Sequence, residues 1–118
     1  MKLVYLANPY TSYLGSRSEA FQRVCRMAAQ IMIDDPNVSV FSPIAHSHSI
    51  EVESDLGVQS GDWWLERDYP ILDKCDEVWV YKMPGWETSY GVGKEIIRAQ
   101  RLGIPVVFIE YNEQAGVN

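Results

Sequence analysis

A segment with three glycines, set between two apolar runs, limits what this chain can fold into. The runs are residues 77–81 and 105–109, both rich in β-branched and aromatic side chains. Between them, Gly85, Gly91 and Gly93 lead into apolar residues at helical spacing. The pattern predicts a strand, a turn, a helix and a second strand. In a parallel α/β sheet, the turn that follows a strand is where ligands bind.

The predicted start of this helix has the features of an anion site. Ser89 is the expected N-cap, beyond which the backbone N–H groups of the first turn are free to bind an anion such as a phosphate. Gly91 allows a ligand to approach the backbone closely. Glu95 lies beside the apolar face of the helix, where a carboxylate is costly unless it is paired or used in chemistry. A solvated glutamate on the helix flank is the alternative.

Strand and helix patterns alternate through the rest of the chain. The patterns predict strands at 2–7, 38–41, 77–81 and 105–109, and helices at about 18–33, from 62 with a new segment at Pro70, and at 89–102. Residues 44–61 are the least regular, and we expect a long polar connection there. The alternation predicts a single domain, residues 1–118, with a doubly wound, Rossmann-like or flavodoxin-like parallel α/β sheet. We expect four to five strands in the order 2-1-3-4, with helices on both faces.

This strand order predicts where the ligand crevice lies. Strands one and three are neighbours, so their carboxyl ends meet at the crevice. Tyr5 and Asn8 are thereby expected near Ser89 and Glu95. Trp86 lies in the crevice loop and is the aromatic residue predicted to stack on a base, with plain packing as the alternative.

Charge and cysteine content narrow the function classes. The chain has 118 residues, of which 16 are acidic and 10 basic, for a formal net charge of −6. No basic block is present, which disfavours duplex nucleic acid as a partner. One small phosphorylated ligand is still allowed, with Arg17 or Arg23 as candidate cations. Cys25 and Cys75 are isolated and no signal peptide or spanning segment is visible, so we expect a cytoplasmic protein without a membrane partner.

Two histidines lie in the irregular segment, His46 and His48. Histidines at this spacing are able to ligate a metal, but no further ligands at defined spacing accompany them. We therefore predict no metal site, and predict that His46 contacts the substrate.

Four segments, in order, resemble the nucleoside 2-deoxyribosyltransferase superfamily. They are Val4-Tyr5-Leu6-Ala7-Asn8-Pro9, Phe41-Ser42-Pro43, Asp68-x-x-x-Leu72-x-x-x-Asp76 and Ser89-x-Gly91-Val92-Gly93-x-Glu95. The last segment looks closest to the 2′-deoxynucleoside 5′-monophosphate N-hydrolase branch. Residues 42–48 and 83–86 are similar to those of small bacterial and phage members of unassigned function.

The resemblance implies a reaction and a role for four residues. Glu95 matches the catalytic carboxylate at C1′ of the sugar, and Tyr5 matches the tyrosine that orients it. Asp68 matches the acid that meets the nucleobase, and Ser89 matches the hydroxyl that holds a 5′-phosphate. The implied reaction is hydrolysis or base transfer at the N-glycosidic bond of a nucleoside or nucleoside 5′-monophosphate, which agrees with the chemistry of two carboxyl groups. It needs no metal or cofactor, and the family implies a homodimer or larger oligomer.

Two other functions remain open at this point. One is a nucleotide-binding module that uses Glu95 only as a ribose ligand. The other is a structural subunit with a vestigial crevice. The alternative for Tyr5 is a plain core residue. Asp73 or Asp76 is the alternative to Asp68 as the acid. In the transferases of the family a neighbouring subunit often completes the pocket from near its C-terminus, for which Asn112 or Asn118 is the candidate. The acidic segment 51–61 would repel a phosphate if it folded over the site.

Overall fold

A four-stranded parallel sheet organises the fold. The computed structural model describes residues 1–117. Its elements are β1 (Lys2–Ala7), α1 (Arg17–Asp34), β2 (Val38–Phe41), α2 (Pro43–Val52), α3 (Gly61–Leu72), β3 (Glu77–Lys82), a 3₁₀ turn (Trp86–Thr88), α4 (Tyr90–Leu102) and β4 (Val106–Glu110). The four strands are all parallel and have the order β2-β1-β3-β4. The predicted fold class and strand order are confirmed.

The central strand β1 sends successive side chains to opposite faces of the sheet, as a pleated strand must. Val4 and Leu6 pack on one face in a cluster with residues of α1. Tyr5 and Ala7 pack on the other face with residues of α3 and α4. All four are fully buried. The phenol of Tyr5 is therefore directed to the face of the sheet that α3 and α4 cover.

The prediction of a long polar connection over 44–61 is wrong for its first half, because residues 43–52 form α2. The start signals for this helix are present in the sequence. Ser42 Oγ accepts a hydrogen bond from the Ala45 N–H at 3.1 Å, and Pro43 occupies the first turn. The apolar periodicity that identifies most helices is missing here, since the buried side of α2 includes Ser47 and His48.

The predicted break at Pro70 is also wrong, since α3 runs through it without interruption. A proline removes one helical hydrogen bond, the one to the carbonyl four residues earlier. That residue is Glu66, and both Glu66 and Pro70 are exposed, so the freed carbonyl faces solvent rather than the core. The N-cap is Ser60, whose Oγ accepts from the Trp63 N–H at 3.1 Å, and not Asp62 as predicted.

The loops at the carboxyl ends of β1 and β3 are tied to each other. Ser12 Oγ donates to the Gly85 carbonyl at 2.9 Å. Gly85 has φ +96°, and a Cβ there would lie 2.1 Å from the Ser12 carbonyl oxygen. Only glycine fits this backbone position. This contact fixes the segment that leads into α4 against the loop that follows β1.

The C-terminal segment packs against α1 of the same chain. Arg23 donates to the Glu113 carbonyl at 3.0 Å, and Gln30 accepts from the Gly116 N–H at 3.1 Å. The Tyr81 hydroxyl donates to the carbonyl of Asn112 at 3.0 Å, at the base of this segment. Asn118, the other residue considered for a neighbour's pocket, lies outside the described residues. Over residues 1–117, no helix has the length and apolar character needed to cross a membrane.

Candidate active site

A buried carboxyl on α4 forms the centre of the site. Glu95 shares the inner face of α4 with Val92 and Ala99 and is only 5% exposed. The hydroxyl of Tyr5 donates a hydrogen bond to Glu95 Oε2. Burial raises the pKa of Glu95 to about 8, the hydrogen bond from Tyr5 opposes this rise, and the charge of Asp68 adds to it. Burial and the neighbouring Glu95 raise the pKa of Tyr5 well above its usual value, so Tyr5 stays a donor.

A second buried carboxyl, Asp68, comes from α3. It is 4% exposed, and its Oδ1 has no hydrogen-bond partner among the described residues. Burial raises the pKa of Asp68 to about 7. A buried oxygen without a partner is rare in folded proteins. Asp68 is therefore set up to exchange a proton or a hydrogen bond with a ligand.

The two carboxyl groups are electrostatically coupled, since the charge of Asp68 contributes to the raised pKa of Glu95. Groups coupled in this way titrate as a pair. With pKa values of about 7 and about 8, the pair holds one proton near neutral pH. The higher pKa of Glu95 places this proton mainly on Glu95 in the free site, while the hydrogen bond from Tyr5 favours the form in which Glu95 is ionised and Asp68 holds the proton. One carboxylate and one carboxylic acid then face the same space.

That space is a cavity of about 210 Å³ between the ends of β1, α2, α3 and α4. Five residues predicted from the sequence as catalytic or substrate-binding line it: Asn8, Asp68, Ser89, Gly91 and Glu95. The end of β1 lines this cavity through Asn8, whereas β3 contributes only through the cap and first turns of the α4 that follows it. Tyr5 lies behind Glu95 and reaches the cavity only through that side chain.

Asn8 presents a second acceptor without a partner. It is 4% exposed, its Nδ2 donates to the Pro9 carbonyl at 2.9 Å, and its Oδ1 has no partner in the described part of the chain. Since Asn8 lines the cavity, this oxygen is available to a ligand donor such as a hydroxyl.

The start of α4 has the geometry predicted for an anion site. Ser89 is the N-cap, and its Oγ accepts from the Val92 N–H at 3.2 Å. The Ser89 hydroxyl proton remains free to donate. A Cβ at Gly91 would meet no protein atom within 4 Å, so the backbone of this turn is open to a ligand.

Two predicted substrate-binding residues lie elsewhere. Trp86 packs against Phe108 with ring centroids 5.5 Å apart. His46 packs between Phe41 and Trp64, at 5.6 and 5.9 Å. Neither Trp86 nor His46 lines the cavity. These two assignments are corrected: both side chains are used in packing, because the 3₁₀ turn carries Trp86 against β4 and α2 carries His46 against other rings.

The second histidine is also engaged within the protein. His48 stacks on Phe21 with ring centroids 4.3 Å apart, and its Nδ1 lies 2.7 Å from the Tyr10 hydroxyl. No group of three or more potential metal ligands occurs in residues 1–117.

The alternatives considered for Asp68 have other partners. Asp73 forms a two-bond ion pair with Arg98, at 2.8 and 2.6 Å. Asp76 accepts from the Leu3 N–H at 2.7 Å and so fixes the start of β1. Neither residue lines the cavity, so of these three aspartates only Asp68 faces it.

Sequence reasoning missed the wall of the cavity that α2 and the following segment supply. Glu51, Val58 and Gln59 line the cavity, and the acidic segment 51–61 does border the site. Of the two candidate arginines, Arg17 lines the cavity and Arg23 does not. The missing signal was the helix itself, since without α2 nothing in the sequence places Glu51 in the wall of the cavity.

The fold and the site together define a class: a doubly wound parallel α/β protein with two buried carboxyl groups in a cavity at the carboxyl ends of its central strands. Residues 2–111 match the family model described as "Domain of unknown function (DUF1937)", and the chain belongs to this family. The matched range includes every residue that lines the cavity. The comparison with curated proteins gives no match.

Proposed function

We propose that the protein cleaves the N-glycosidic bond of a nucleoside or a nucleoside 5′-monophosphate. The observation that carries the proposal is the pair of buried carboxyl groups in one cavity, with Glu95 held by Tyr5 and Asp68 left without a partner on Oδ1. Glycosidic cleavage by a carboxylate and a carboxylic acid requires such a pair. The resemblance of four segments to the nucleoside 2-deoxyribosyltransferase superfamily supports the same reaction.

The reaction proceeds from the form of the pair in which Glu95 is ionised and Asp68 holds the proton. In the first step the bond between C1′ and the base nitrogen breaks. Its electron pair stays on the nitrogen, which takes the proton of Asp68, and the base departs neutral. Positive charge develops at C1′, and the Glu95 carboxylate forms a C1′–O bond with it. Tyr5 holds Oε2 of Glu95, which leaves Oε1 for the sugar.

In the second step an acceptor attacks C1′ and the bond to Glu95 breaks. With water as acceptor, its proton passes to Asp68 and the free sugar leaves. With a second base as acceptor, the base nitrogen loses its proton to Asp68 and a new nucleoside forms. Both routes restore the starting protonation of the pair, as microscopic reversibility requires.

A 5′-phosphate on the substrate would bind at the start of α4. The Ser89 hydroxyl and the first-turn N–H groups are donors there, and Gly91 leaves room for the phosphate oxygens. Arg17 adds a positive charge to the cavity wall, while Glu51 adds a negative one. These opposing charges together set whether the site prefers a nucleoside or a nucleoside 5′-monophosphate.

Two further features are part of the proposal. The resemblance implies a homodimer or larger oligomer, and sedimentation at several concentrations measures it. The free thiols of Cys25 and Cys75 agree with the expected cytoplasmic location.

The test is release of free base from a panel of nucleosides and 5′-monophosphates, followed by chromatography. Wild-type protein is expected to release base, and Glu95→Gln is expected to release none. Glu87→Gln is the matched control, because it makes the same chemical change on an exposed side chain next to the site. Ligand binding without base release would contradict catalysis and support the nucleotide-binding module. Release that is unchanged in Glu95→Gln would exclude the assigned role of this residue.

A further inference from the structure

One turn of α3 separates the catalytic end of the cavity from a second polar group. Asp68 and Trp64 both line the cavity and lie four residues apart on α3, so they stack on one face about 6 Å apart along the axis. Glu51, from α2, lies beside Trp64 and lines the same cavity. The mechanism proposed above makes no use of Glu51.

The carboxylate of Glu51 is held in one orientation. Its Oε2 accepts from Trp64 Nε1 at 2.7 Å and from the Gln59 N–H at 2.9 Å. Both of these bonds go to the same oxygen, and no hydrogen bond to Oε1 is formed within residues 1–117. An ionised carboxylate only accepts hydrogen bonds. Oε1 is therefore a fixed acceptor in the cavity wall.

The walls at this end suit a flat ring. Four apolar side chains from α2, α3 and the segment between them line the cavity: Pro43, Ile44, Val58 and Leu65. Ligand pockets commonly combine apolar walls with a few fixed polar groups that set orientation. An aromatic base inserted here would be covered on its faces and would meet Glu51 at its edge.

The inference rests on the proposed function for the position of the sugar. With C1′ at Glu95 and the glycosidic nitrogen near Asp68, the base extends along α3 toward Trp64. The rise of one turn of α3, from Asp68 to Trp64, is comparable to the width of a base ring. A base that starts at Asp68 therefore brings its far edge to Glu51.

We propose that Glu51 is a specificity-determining residue that accepts a hydrogen bond from an exocyclic amino group on the far edge of the base. The preferred substrates then carry amino-substituted bases, of the adenine or cytosine type. Their oxo counterparts, of the hypoxanthine or uracil type, place a carbonyl oxygen against a carboxylate oxygen. Two buried acceptors facing each other are unfavourable, because neither is satisfied.

The experiment compares two matched pairs, deoxyadenosine with deoxyinosine and deoxycytidine with deoxyuridine. The members of each pair differ in the amino or oxo group at the far edge and in the ring proton that follows from it. Binding is measured by calorimetry on Glu95→Gln, which does not turn over, and base release is measured on the wild type. We expect the amino member to be preferred on the order of tenfold to a hundredfold, as for a hydrogen bond to a charged group.

Glu51→Gln, in both backgrounds, tests the residue itself. The glutamine keeps one oxygen for Trp64 and Gln59 but presents an NH₂ group in place of Oε1, so the preference should disappear or reverse. Glu53→Gln is the matched control, since it is exposed at the end of the same helix and should retain the amino preference.

Each outcome decides the inference. Equal binding of both members of each pair to the protein with Glu51 intact overturns it, even if Glu51→Gln does not fold. Equal weakening of both members by Glu51→Gln also overturns it, because Glu51 would then only join α2 to α3. Amino preference in binding without any base release supports Glu51 and contradicts the hydrolase or transferase proposal. Absence of binding by all four nucleosides and by their 5′-monophosphates overturns the inference together with its premise.

Discussion

The hydroxyl of Tyr5, on the central strand, donates a hydrogen bond to the carboxyl of Glu95, which lies 90 residues later on α4. Both side chains are at most 5% exposed. The contact exists because the side chain of Tyr5 leaves β1 on the face that α4 covers, and because Glu95 lies on the inner face of that helix. A buried carboxyl held in this way has one fixed oxygen and one that is available for chemistry.

The first prediction concerns Tyr5→Phe, which removes that hydrogen bond. The bond favours the ionised form of Glu95, so its loss raises the pKa of Glu95 further. Because Glu95 has the higher pKa of the pair, the alkaline limb of the pH–rate profile should move to higher pH, and the rate at neutral pH should fall roughly tenfold to a hundredfold as the ionised form of Glu95 becomes rarer. Tyr81→Phe is the control, because it removes another buried hydroxyl on the opposite face. An alkaline limb that stays in place in Tyr5→Phe would contradict the positioning role.

The second prediction is a bell-shaped pH–rate profile for base release. The active pair carries one proton, so the rate should be highest at roughly pH 7.5, between the pKa values of about 7 for Asp68 and about 8 for Glu95. At lower pH the pair takes up a second proton, so no ionised carboxyl remains to meet C1′. At higher pH the pair loses its last proton and no acid remains for the base.

Asp68→Asn tests whether Asp68 is the acid that protonates the leaving base. This variant cannot protonate the leaving base, so it should be slow on ordinary nucleosides, by about 10² or more. A substrate whose base already carries a positive charge, 7-methyl-2′-deoxyguanosine, needs no proton to leave, so in a single turnover its base should be released at a rate close to that of the wild type. Equal loss of rate on both substrates would exclude Asp68 as the acid.

The third prediction is that Glu95 costs stability at alkaline pH. Its pKa is raised from 4.5 to about 8 in the folded state. The folded protein therefore binds this proton more tightly than the unfolded chain does, and the resulting stability is fully present below about pH 4.5 and is lost as the pH rises through about 8. At ~1.4 kcal/mol per pKa unit, the loss is a few kcal/mol.

Chemical denaturation at several pH values measures this effect. Glu95→Gln, which cannot ionise, should lose less stability than the wild type between about pH 5 and pH 9. Glu87→Gln, an exposed change of the same kind, should follow the wild type. Parallel curves for the wild type and Glu95→Gln would mean that the burial of Glu95 does not control its ionisation.

The sequence predicted those parts of the fold and site that depend on local signals or on topology. The four strands have strong β-forming runs, and the strand order follows from alternation with helices, so the meeting of β1 and β3 was foreseeable. Glu95 and Ser89 were found from helical spacing and capping chemistry, both of which act within one turn.

What the sequence did not predict depends on packing between distant segments. The buried residues of α2 are Pro43, Ser47 and His48, so its apolar periodicity is weak and Glu51 was left in a loop. Trp86 was expected to stack on a base because it lies in the crevice loop, but the short turn directs its ring to Phe108. Which way a loop side chain turns is decided by its tertiary neighbours, and those are not encoded in residue type alone.

The last prediction uses two glycines of α4 as a matched pair. In both Gly91→Ala and Gly93→Ala the added Cβ meets no protein atom within 4 Å. Alanine is the better helix former, so each variant should be more stable than the wild type by up to about 1 kcal/mol.

Only Gly91 lines the cavity, where the new methyl group would occupy space needed by a substrate or its phosphate. Gly91→Ala should therefore raise KM roughly tenfold or more while Gly93→Ala leaves it unchanged, in thermal unfolding and steady-state assays run side by side. Equal KM values for the two variants would show that ligands do not approach this turn, and would move the phosphate away from the start of α4.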